Sequence, residues 1–149
     1  MMKVKVISFF AFLLVTIMVA IPTFAANSGY GYNMYYKVDG KAQGNYHSLG
    51  TGSVDISGHS YYTGTHYSGA DSSDKGETVT YYLYKDDSWA DSYYGKVTQY
   101  VSSNATMYKI DNFEGTFPTS ADVSSSKYYL VITKSDNGWK MSGSGEITN

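Results

Sequence analysis

Apolar and polar residues alternate with a period of two through most of the chain after residue 26, and no later stretch sustains the three-to-four period of an amphipathic helix. Tyr30, Tyr32, Met34, Tyr36 and Val38 fall on one face of a first strand that Asp39-Gly40 closes. Further runs cover 46–57, 60–68, 78–85, 94–102, 106–113, a short 115–117, 127–134 and 139–147. Gly, Ser, Asp and Asn punctuate them every 8 to 12 residues or so. That rhythm predicts an all-β fold, an antiparallel β-sandwich or small barrel of eight to nine strands.

Two hairpins follow to the level of register. Ser57-Gly58-His59-Ser60 places glycine first of the two central residues, as a type II′ turn requires. It sets Ile56 against Tyr61 and Val54 against Thr63. Ser135-Asp136-Asn137-Gly138 is a strong turn signal as well. A four-residue loop there sets Ile132 against Met141, Leu130 against Gly143 and Tyr128 against Gly145. A slip of one residue would bring Ser142 opposite Ile132, so the apolar pattern selects the first register. Gly143 and Gly145 strip one strand face of side chains, and rings from a neighbouring strand are expected to cover them.

The first 25 residues depart from this pattern. Lys3 and Lys5 precede an uncharged apolar run from Val6 to Ile21, Pro22 breaks it, and Thr23-Phe24-Ala25 supplies the small residues of a cut after Ala25. These are the three parts of a secretory signal peptide. A spanning anchor needs about 20 apolar residues and flanking cations, and no lysine follows until Lys37. The expectation is one β domain, 26–149, secreted and free of the membrane after cleavage.

Composition narrows the partners. The chain has no arginine, and losing Lys3 and Lys5 moves the net charge from −2 to −4, which excludes the cationic surface that nucleic acid requires. There is no cysteine, so packing alone must hold the domain. No Gly-x-Ser-x-Gly, His-Glu-x-x-His or phosphate-cradling loop is present, and neither catalysis nor a cofactor is expected.

All 17 tyrosines lie after residue 26, ten of them in five doublets: Tyr35-Tyr36, Tyr61-Tyr62, Tyr81-Tyr82, Tyr93-Tyr94 and Tyr128-Tyr129. Strand neighbours point to opposite faces, so each doublet sends one ring inward and one outward. The outward rings would form a contact surface of the kind tyrosine favours. The loop of residues 85–94 adds Trp89 and three carboxylates. Trp89, Tyr93, Tyr62, Asp87 and Asp91 are therefore the expected ligand-binding residues. The acid spacing does not match an EF-hand loop, which leaves a metal undecided. The reading is a secreted, non-enzymatic binder of polysaccharide or a cell-envelope component. An exported antagonist of competing cells and a self-associating matrix or fibre component are the alternatives.

Overall fold

The computed structural model describes residues 26–149, and the segment read as an export signal lies outside them. Nine strands follow in order: β1 (Asn27–Met34), β2 (Lys37–Asp39), β3 (His47–Leu49), β4 (Asp55–His66), β5 (Glu77–Lys85), β6 (Ser92–Val101), β7 (Asp111–Thr116), β8 (Ser125–Thr133) and β9 (Trp139–Thr148). One helical turn, α1 (Gly40–Gln43), separates β2 from β3. The Asp39 side chain accepts from Ala42 N–H at its start, and Gly44 ends it at φ 72°.

The strands form two antiparallel sheets, of four and five strands. The first runs β1-β9-β4-β7, and the second β2-β8-β5-β6 with β3 also on β8. Their facing sides share one core, in which Tyr32, Met34, Ile56, Tyr62, Met141 and Ile147 meet Val38, Val79, Tyr81, Leu83, Leu130 and Ile132. At its centre the Tyr32 and Tyr81 hydroxyls lie 3.1 Å apart. Ser60 bonds Tyr32 at 2.5 Å, and the Gln99 side chain accepts from Ser60 and Tyr81 at 2.6 and 2.8 Å. The Gln99 amide donates in turn to the Asp111 carbonyl. Each side-chain polar group of this central cluster thus has a partner, which burial demands.

Both expected hairpins are corrected. Residues 57–60 lie inside β4, where Gly58 keeps an ordinary φ instead of the positive one a type II′ turn needs. Ile56 pairs with Gly115 and Ile147, not with Tyr61. Residues 135–138 do turn the chain, but β8 and β9 belong to different sheets. Met141 pairs with Met34 and Tyr62, and Ile132 with Val38 and Tyr81. Gly143 and Gly145 are indeed covered by rings, but those of Tyr32 and Tyr30 on β1.

Four smaller expectations also change. The first strand ends at Met34, and Val38 stands in the other sheet. The run 46–57 splits into β3 and the start of β4, and β7 begins at Asp111 instead of residue 106. Four doublets divide between a more buried and a more exposed ring, but Tyr128 and Tyr129 are both buried. Tyr129 is on the outer face of its sheet, and a second layer of side chains covers it.

Candidate functional site

That second layer is the site. On the outer face of the five-stranded sheet, cross-strand pairing aligns Tyr93 of β6, Tyr84 of β5 and Tyr129 of β8 in one row. Ring centres are 5.2 Å apart from Tyr93 to Tyr84 and 5.6 Å from Tyr84 to Tyr129, the latter pair stacked at 17°. Tyr82 extends the row beside Tyr93 at 6.4 Å, and Tyr46 closes it edge-on against Tyr129 at 6.2 Å. Such contacts stabilise by about 0.5–1.5 kcal/mol each. They also fix the rings as a platform that stays partly in solvent, with Tyr93 51% and Tyr46 39% exposed.

A polar cluster borders the platform. Lys41, carried by α1, bridges Asp86 and Asp91 of the β5–β6 loop at 2.8 and 2.7 Å. Tyr46 donates to Asp86 at 2.9 Å and Tyr129 to Asp91 at 2.6 Å. The Lys41 ammonium holds both carboxyls below the ordinary carboxylate range and is itself raised by them. Burial, then the Asp91 bond, raises the Tyr129 phenol, so it stays a neutral donor. The cluster therefore presents fixed charges of both signs beside the aromatic row.

Four of the five expected binding residues belong to this region. Tyr93 is in the row and Asp91 in the cluster. Asp87 stands beside them, held by the Ser92 hydroxyl and, at 3.1 Å, by Lys85. Trp89, at the tip of the same loop, is 101% exposed and packs on nothing. Tyr62 is elsewhere. It is 3% exposed on the inner face of the four-stranded sheet, where its hydroxyl meets Glu77 at the opposite end of β5 from Tyr84.

Tyr46, Lys41 and Tyr84 were not singled out by the sequence. Tyr84 shares a face with Tyr82 two residues earlier, which was a usable signal. Lys41 and Tyr46 arrive through the α1 excursion, which no local pattern marks. No group of three His, Asp or Glu side chains disposed to hold a metal exists among the described residues. A second exposed apolar group, Tyr100, Met107, Tyr108 and Ile110, lies at and beside the β6–β7 turn. It lacks the organised polar border of the tyrosine row. Compared with known proteins, the chain matches no family model, no curated protein and no solved structure.

Proposed function

We propose that the protein is a secreted β-sandwich module without enzymatic activity that binds extracellular polysaccharide or a glycan component of the cell envelope. The observation that carries this reading is the contiguous row Tyr82–Tyr93–Tyr84–Tyr129–Tyr46 beside the Lys41–Asp86–Asp91 cluster. Sugar rings expose C–H faces that pack on aromatic faces, and rim hydroxyls that seek carboxylates and ammonium groups. The exposed rings of Tyr93 and Tyr46, with charges along one side of the row, offer both. Trp89 supports the same reading, since an unpacked tryptophan beside an aromatic platform is a ready anchor for a ligand.

The test is depletion of the protein from solution by insoluble peptidoglycan, teichoic-acid-bearing walls and common polysaccharides. At least one should retain it, and Trp89→Ala and Tyr93→Ala should each weaken retention roughly tenfold or more. The Trp89 change should leave the melting temperature unaltered, because that side chain packs on nothing. Retention by none of these materials, or retention indifferent to both substitutions, would overturn the proposal.

A further inference from the structure

Among the described residues, β1 is the outermost strand of the four-stranded sheet, paired on its β9 side alone. Ala26 and Asn149 exchange two backbone bonds, of 2.9 and 3.1 Å, and the register then runs unbroken to Met34 opposite Met141. Antiparallel partners alternate between residues that exchange bonds and residues that do not. Ser28, Tyr30, Tyr32 and Met34 therefore bond β9, whereas Asn27, Gly29, Gly31 and Asn33 aim N–H and C=O outward. All four are exposed, and none of their outward backbone groups has a protein partner among the described residues. A cleft of 460 Å³ runs along this side, with Gly29 and Gly31 on its β1 wall and Asn45, Tyr46 and His47 also lining it.

Free edges invite pairing, and folded proteins usually guard them with charge, proline, a bulge or short length. The other edges here are guarded. β2 and β3 have three residues each. β7 has six, carries Asp111 and Glu114, and is soon followed by Pro118. β6 carries Lys96 and a register break near Gly95. β1 has eight residues and none of these devices.

Its outward residues read Asn27, Gly29, Gly31, Asn33, the same in both directions about Tyr30. A two-fold interface requires such self-complementarity. The glycines are not needed by the monomer. Neither has a positive φ, and a Cβ on either would come no nearer than 3.8 Å to its surroundings. Glycine weakens a strand, and its use there often marks a close backbone approach.

We propose that β1 pairs antiparallel with β1 of a second copy about a two-fold axis at Tyr30, joining two four-stranded sheets into one of eight. Asn27 then faces Asn33 of the other copy and Gly29 faces Gly31. Every outward N–H and C=O of the four residues is satisfied.

Sedimentation of the protein, produced from its full coding sequence, tests this over a wide concentration range. A dimer is expected. The double substitution Gly29→Lys, Gly31→Lys sets lysines opposite one another across the axis and should raise the dissociation constant at least tenfold. Room for both side chains keeps the monomer folded, as an unchanged melting temperature would confirm. The absence of native cysteine gives a test of register. Facing residues of a bonded pair are about 5.5 Å apart, within disulfide reach. Asn27→Cys and Asn33→Cys should therefore cross-link when mixed and not alone. A monomer at every concentration would refute the proposal and leave the edge to a different strand. Open-ended polymers, a dimer indifferent to the lysines, or Asn33→Cys linking to itself would also refute it.

Discussion

At Gly143 an added Cβ would stand 2.5 Å from the Tyr32 ring and 2.6 Å from the His59 carbonyl. The ring cannot step aside cheaply, because its hydroxyl is bonded to Ser60 and Tyr81 in the core. Gly143→Ala should therefore destabilise by about 1–3 kcal/mol or more, the usual range for overpacking. Gly29→Ala, with 3.8 Å of clearance, should be neutral or mildly stabilising. Urea midpoints of the two variants decide it, and equal effects would mean that the ring does not fill the space over Gly143. Sequence spacing revealed that glycines two apart lie beneath rings. It named the wrong neighbours, since Tyr128 and Leu130 are close in sequence whereas Tyr32 is 111 residues from Gly143. Period two tells which residues share a face and is silent on which strand lies opposite.

The link from β8 to β9 shows what overrides a local turn signal. Its residues read as a hairpin, yet the chain leaves one sheet and enters the other. Lys134, its side chain fully buried, is 3.0 Å from Glu77 at the start of β5. Asn137 donates to Glu77 at 2.8 Å and accepts from Lys134 at 2.7 Å. Trp139 donates through its indole to the Asp71 carbonyl, and Lys75 lies 3.9 Å over its ring. These bonds hold the crossover against the β4–β5 loop, and none is visible in a window of neighbouring residues. Breaking a buried pair strands the other charge, at a cost of about 3–5 kcal/mol. Lys134→Met should lose that much in urea unfolding. Lys37→Met, which removes the exposed pair with Asp39, should lose about 0–1 kcal/mol. Comparable losses would show that the Glu77–Lys134 contact does not hold the crossover. The all-β, antiparallel class was legible because alternation runs through nearly every strand. The pairing order was not, because only β5 and β6 are both sequence neighbours and hydrogen-bonded partners.

Across the whole molecule, tyrosines do the work that leucine and isoleucine do elsewhere, and this ties stability to alkali. Burial raises the phenols of Tyr30 and Tyr32 on β1, Tyr81 on β5, Tyr94 on β6 and Tyr129 on β8, and pushes Tyr62 on β4 up to about 12. An unfolded chain releases these protons near pH 10. Above that pH the unfolded state binds fewer protons than the folded one, so stability falls as pH rises. For Tyr62 the loss runs from about 10 to about 12, and for the more deeply raised phenols it continues beyond. The acid side has a smaller counterpart. His47 is held neutral by burial, so stability present above its ordinary value near 6.5 declines as pH falls below it. Melting temperature should thus be level across neutral and mildly alkaline pH and drop steeply above 10. Because the raised phenols other than Tyr129 come from both sheets and pack in or against one core, their tyrosinate absorbance should rise together, at the pH where the circular dichroism of the strands is lost. Gradual ionisation of those rings in a chain that keeps its strand signal would mean that the facing sheets do not exclude water from the tyrosines between them.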